Sequence, residues 1–356
     1  MIVPADLNQP SNTIAQLGEL ALIEKLKPFC AAGSIGDDAA LIKVQAEHKL
    51  VVTTDMLTEN VHFSSRTTPP YTVGWRAVTA NLADIAAMGA MPLGITVGLG
   101  LPGHTPMNWV EELYRGMSEC LDMYGGAIVG GDLCRALQQT VSITATGEVR
   151  PHQVIRRDSA TPGMTVIVTG PHGASRAGLA LLLEEFDLEG KQPNELQPSE
   201  LQPNELLSHA KSWIRAHQMP VPRFDALKDL RRIIGKANPE AYPTITGMDS
   251  SDGLANALLL ISSCSGVGID IVRSDIPLPM GLQAAVGAET ALKWGLYGGE
   301  DFELVMCLPP AIADAFTKTR FATAIGITTA SGTVRLLATE NSTTGQTITH
   351  NSYQHF

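Results

Sequence analysis

Read by the period of its apolar positions, the chain alternates between strands and helices. Leu50, Val51, Val52, Thr53 and Thr54 are apolar or β-branched, and they predict a strand that ends where the run meets Asp55. Further strands are predicted over 41–44, 95–101, 127–129, 141–149, 165–169 and 268–272, with a strand region over 296–308 interrupted by Gly298-Gly299-Glu300-Asp301. Helical spacing predicts helices over 17–29, 72–89, 107–124, a stretch ending at Leu183, 225–236, 254–263 and 311–321. Between them, 193–207 holds three copies of a pentad, P-[NS]-E-L-[QL]. A proline every five residues cannot continue a helix interior, so this stretch is expected to be a surface insertion without catalytic role.

Length turns this alternation into an architecture. With 356 residues the chain exceeds what one core holds, and the expected class is α/β or α+β with an N-terminal domain over 1–150 and a C-terminal domain over 151–356. The uncharged run 85–103 is split by Pro92 and reads as a buried helix end followed by a buried strand, so a soluble protein is expected. No basic n-region precedes an apolar core at the N-terminus, hence no signal peptide is expected. Thirty-six acids against 25 basic residues give a net charge of −11, which speaks against nucleic acid as a partner. The five cysteines lack any C-x-x-C pair, as expected of reduced thiols in the cytoplasm.

Charge also changes the picture locally, because the acids recur at element ends and glycine turns. They stand in Gly36-Asp37-Asp38, Thr53-Thr54-Asp55, Asn81-Leu82-Ala83-Asp84, Gly130-Gly131-Asp132, Asp249-Ser250-Ser251-Asp252 and Gly299-Glu300-Asp301. Asp84 lies late in an apolar helix, where the dipole and the neighbours both disfavour an anion, so it calls for a cation. Oxygen-only donors of this kind suit Mg²⁺, which takes one or two carboxylates together with waters and phosphates. An acidic protein that handles phosphates needs such ions, and the acids are expected to form one site around Asp55.

Eight segments in order, LGELALIEKL, SIGDDAAL, TTDMLTENVHF, NLADIAAMGAMP, VGGDLCR, RRDSATPGM, SSDGL with SGVGIDI, and LYGGEDFEL, resemble the thiamine-monophosphate kinases of the aminoimidazole-ribonucleotide-synthetase-like superfamily. The resemblance implies a two-domain fold whose N-terminal domains pair through their sheets in a homodimer while the C-terminal domain closes over the site. It implies transfer of the γ-phosphoryl group of ATP to thiamine monophosphate with several Mg²⁺ ions. Carried over by position, Asp38, Thr53, Thr54, Asp55, Asp84, Asp132, Asp249 and Asp252 would be metal ligands. Gly131, Asp132, Arg157 and Ser251 would meet ATP, and His62, Glu300 and Tyr353 the thiamine phosphate. Asp158 departs from the family pattern by placing an acid beside Arg157. Selenophosphate synthetase, the hydrogenase-maturation carbamoyl dehydratase and a non-catalytic Mg-nucleotide-binding scaffold are the alternatives. The first two want a reactive cysteine, which neither Cys30 nor the C-terminal Phe356 supplies.

Overall fold

A computed structural model describes residues 13–34, 39–186, 203–237 and 242–349. Eleven strands are found among them: β1 Lys49–Thr58, β2 Met91–Leu101, β3 Ile128–Arg135, β4 Thr140–Val149, β5 Thr165–Thr169, β6 Thr246–Asp249, β7 Gly268–Val272, β8 Leu304–Leu308, β9 Ala322–Thr329, β10 Val334–Leu337 and β11 Gly345–Thr347. The chain divides into two compact units. One comprises 1–43, 54–78 and 93–145, the other 44–53, 79–92 and 146–356. Two segments before residue 150, 44–53 and 79–92, are thus grouped with the second unit.

The first unit is built on a sheet of order β1-β4-β2-β3, in which β2 and β3 run parallel. Its helix Met107–Tyr124 packs Val110, Leu113, Met117 and Leu121 inward at helical spacing. It meets the helix Pro70–Ala87 backbone to backbone, since a Cβ on Gly74 would overlap the Leu113 carbonyl and one on Gly116 the Tyr71 carbonyl.

The second unit carries a seven-stranded sheet of order β11-β10-β7-β9-β5-β8-β6, with β10 and β7 parallel. Strand periodicity sorts its side chains between two cores. Val166, Val168, Val305 and Cys307 join Leu254, Leu258 and Ile261 of the helix Leu254–Ser265 on one face. Ile167, Leu304, Met306 and Leu308 join Leu227, Leu230 and Ile234 of the helix Phe224–Ala237 on the other. Strands covered on both faces read as unbroken apolar runs, which is why these were visible in the sequence.

Other expectations are corrected. No strand forms over 41–44. The strand that was to end at Asp55 continues to Thr58, and the one expected over 127–129 runs through Gly130-Gly131-Asp132 to Arg135. Of the strand region expected over 296–308, Leu304–Leu308 is a strand, whereas Leu296 and Tyr297 end the helix Ala288–Tyr297. The pentads divide: the first two lie outside the described residues, whereas the third opens the helix Pro203–Gln218. Pro203 stands first in that helix, where its missing N–H costs nothing. Leu206 is 4% exposed and packs with Ala177, Ala210, Trp213 and Leu282, so this copy belongs to the core.

Candidate active site

In the second unit, Thr53 on β1 and Asp84 on the helix Pro70–Ala87 are joined by a 2.5 Å hydrogen bond from the threonine hydroxyl to Oδ2. Burial raises the Asp84 carboxyl above its ordinary range, while the Thr53 hydroxyl and the Arg157 guanidinium act to lower it and Asp252 raises it further.

Arg157 is held by its backbone. The Ser265 hydroxyl donates to the Arg157 carbonyl at 2.8 Å and accepts from the Ala160 N–H at 3.0 Å, and the Gly247 N–H reaches the Arg156 carbonyl at 3.0 Å. The acid of concern, Asp158, is taken by Arg156 instead, whose Nε and a terminal nitrogen both donate to it. That pairing, with the Ser159 hydroxyl, holds the Asp158 carboxyl down at about 2.

Behind Arg157, β6 ends at Asp249 and the turn Ser250-Ser251-Asp252-Gly253 leads into the helix Leu254–Ser265. Asp249 is buried and receives the Ser251 hydroxyl at 3.2 Å, whereas Asp252 is exposed. The Glu300 N–H donates to the Ser251 carbonyl at 2.6 Å, which ties the Gly-Gly-Glu-Asp segment to this turn. Sequence reasoning missed His217, whose Nδ1 lies 3.8 Å from Glu300 Oε2; no spacing signal links the two.

Thr54, Asp55, His62, Gly131 and Asp132 belong to the first unit. Thr54 occupies the face of β1 opposite to Thr53 and Asp55, because successive strand side chains alternate. Its hydroxyl donates to the Ile143 carbonyl at 2.9 Å and accepts from the Thr144 hydroxyl at 3.2 Å. His62 Nδ1 accepts the Thr58 N–H at 3.1 Å. In the neutral ring this places the proton on Nε2, which makes it a donor. Gly131 pairs with Val97 on β2, and a Cβ there would overlap the Val97 carbonyl oxygen, so the glycine is required by strand packing itself. Asp132 follows it, exposed on the same strand.

Asp38 and Tyr353 lie outside the described residues. Among the described residues, no three His, Cys, Asp or Glu side chains are grouped to hold a metal ion by themselves. The contacts shown, Thr53 with Asp84 and Ser251 with Asp249, join hydroxyl and carboxylate oxygens, donors that suit Mg²⁺ and not a metal preferring sulfur or nitrogen.

Residues 36–149 match the family model of the N-terminal domain of AIR synthase related proteins. The chain is 41% identical over 307 residues to the thiamine-monophosphate kinase of Synechococcus elongatus, covering 86% of each. Among solved structures it is similar to the thiamine-monophosphate kinase of Stenotrophomonas maltophilia, with a TM-score of 0.73, 29% identity and coverage of 90% of this chain and 96% of that one. It is also similar to AaThiL complexed with AMPPCP and TMP, with a TM-score of 0.67, 30% identity and coverage of 93% and 97%.

Proposed function

The chain belongs to the thiamine-monophosphate kinase family and phosphorylates thiamine monophosphate using ATP, and from that premise we propose how its residues share the reaction. Arg157 and the Ser251 turn receive the triphosphate, a reading supported by the turn's place at the start of the helix Leu254–Ser265, where Ser251 bonds Asp249 and takes the Glu300 N–H. The start of the helix Leu254–Ser265 adds backbone N–H groups suited to phosphate oxygens. Asp38, Asp55, Asp84, Asp132, Asp249 and Asp252, with Thr53 and Thr54, would hold Mg²⁺. Bound there, Mg²⁺ would supply charge neutralisation between two reactants that both carry phosphate.

His62 offers Nε2–H to the acceptor's phosphate, a donor's role and not a base's. The attacking group is already an oxyanion, so the protein needs to position and neutralise, and transfer is direct and in line without a phosphoenzyme. A carboxylate is a poor neighbour for phosphate, which assigns Glu300 to the cationic and amino-bearing part of thiamine, with Tyr353 its aromatic companion.

The working protein is a homodimer in the cytoplasm. Leu50, Val52 and Met56 project from one face of β1 and are each more than half exposed, a row that a second copy's sheet would cover. Among the described residues no helix is long and apolar enough to cross a membrane. Incubation with Mg-ATP and a panel of monophosphates tests the whole reading: thiamine diphosphate is expected from thiamine monophosphate alone. ATP consumption that is indifferent to the acceptor would overturn it.

A further inference from the structure

The segment Gly298–Phe302 is held on three sides, and its backbone is unusual. Glu300 and Phe302 have φ of 66° and 53°, a left-handed conformation that side chains other than glycine adopt only when their surroundings impose it. Three anchors do so within the second unit. The Glu300 N–H reaches the Ser251 carbonyl, and Asp301 accepts the N–H of Gly173 at 2.6 Å and of Ser175 at 2.9 Å. Phe302 packs on Ala80 and Ala83.

With the backbone fixed, the Glu300 side chain, one third exposed, faces a buried neighbour. His217 is 2% exposed and stands in the last turn of the helix Pro203–Gln218. Its Nδ1 is 3.0 Å from the Ser175 hydroxyl and 3.8 Å from Glu300 Oε2. Ser175 in turn sits at the start of the helix Ala174–Leu182, the helix that Asp301 caps. The residues on either side of the peptide bond between Glu300 and Asp301 are thus read by one small assembly, in which Ser175 serves Asp301 with its N–H and His217 with its hydroxyl.

We propose that His217, held by Ser175, is a positioning residue that aims the Glu300 carboxylate at the thiamine moiety of the acceptor. The proposal rests on the assignment of Glu300 given above. A glutamate side chain loses considerable rotamer freedom when it is fixed, and a buried imidazole that fixes it beforehand removes that cost from substrate binding. Such preorganisation belongs to acceptor binding and not to the transition state, so it acts on KM for thiamine monophosphate and leaves kcat alone.

The test measures kcat and both KM values for His217→Leu, His217→Asn and Ser175→Ala, with His217→Leu repeated in a Glu300→Ala background. His217→Leu is expected to raise KM for thiamine monophosphate about tenfold, the loss of a contact to a charged group. KM for ATP and kcat should stay within roughly twofold of the parent. His217→Asn, which keeps a polar group near the position of Nδ1, should restore most of the affinity, and Ser175→Ala should show the same selectivity at smaller size. In the Glu300→Ala background His217→Leu should add nothing. Equal losses in both backgrounds, or a rise in both KM values, would make His217 a packing residue and overturn the proposal. Unchanged acceptor KM in Glu300→Ala alone would overturn the Glu300 assignment itself, and the proposal with it. Should His217→Leu fail to fold, His217→Asn and Ser175→Ala must still show the acceptor-selective effect, or the proposal fails.

Discussion

Replacing Arg223 by Met should destabilise the protein by about 3–5 kcal/mol, the cost of stranding one partner of a buried ion pair. Arg223 meets Glu303 with both arms of its guanidinium: Nε donates at 2.6 Å to Oε2 and a terminal nitrogen reaches Oε1. Glu303 is 4% exposed and also takes the Thr169 hydroxyl at 2.6 Å. Burial raises its carboxyl, and Arg223 together with Thr169 offsets this. Without Arg223 the carboxylate must either stay charged with one donor or take up a proton. The consequence reaches the site, because the Ser250 N–H donates to the Glu303 carbonyl at 2.8 Å and the Glu303 N–H to the Ser250 hydroxyl at 3.2 Å. Urea unfolding with linear extrapolation measures the loss. Arg223→Met combined with Glu303→Leu should recover much of it, since an apolar pair leaves no charge unmatched. A single-variant loss below about 1 kcal/mol, the range of an exposed pair, would refute the reasoning.

Three further outcomes are expected. Asp84→Asn should lower turnover by roughly a hundredfold with the fold retained, and full turnover at saturating Mg²⁺ would remove Asp84 from the site. Leu206→Ala should cost about 2–5 kcal/mol in the same unfolding assay, whereas a solvated pentad would cost under about 0.5 kcal/mol. Burial pushes Asp301 up to about 7 although two N–H groups bond it. The native state therefore holds a proton that the unfolded chain releases, so this contribution to stability is full below the ordinary carboxyl range and is lost as pH rises through about 7. The stability of the parent relative to Asp301→Asn should fall between pH of about 4 and about 7 and level off above, and parallel profiles would contradict it.

How much of this the sequence discloses depends on what each residue answers to. Val166 to Val168 and Val305 to Leu308 are apolar because both faces of their sheet are covered, and such runs are legible. A carboxylate is a poor strand former, which favours ending the strand at Asp55, yet Asp55 sits within β1 on its half-buried face, opposite the exposed row of Leu50, Val52 and Met56. Thr54 was grouped with Thr53 by adjacency, although the two-residue period puts it on the other face. Asp158 is paired with Arg156, a pairing that depends on side-chain direction and not on adjacency in sequence to Arg157. His217 was invisible for a plainer reason: Glu300 comes beside it only through folding, with no spacing to betray the pair.

The central claim is that these residues position two phosphate-bearing reactants for direct transfer. Rapid-quench single turnover with γ-labelled ATP, thiamine monophosphate and Mg²⁺ tests it. The account predicts that the label passes from ATP to thiamine diphosphate with matching rates of loss and gain and none retained on protein. Label on the protein before product forms, or released as inorganic phosphate with thiamine monophosphate unchanged, would contradict it.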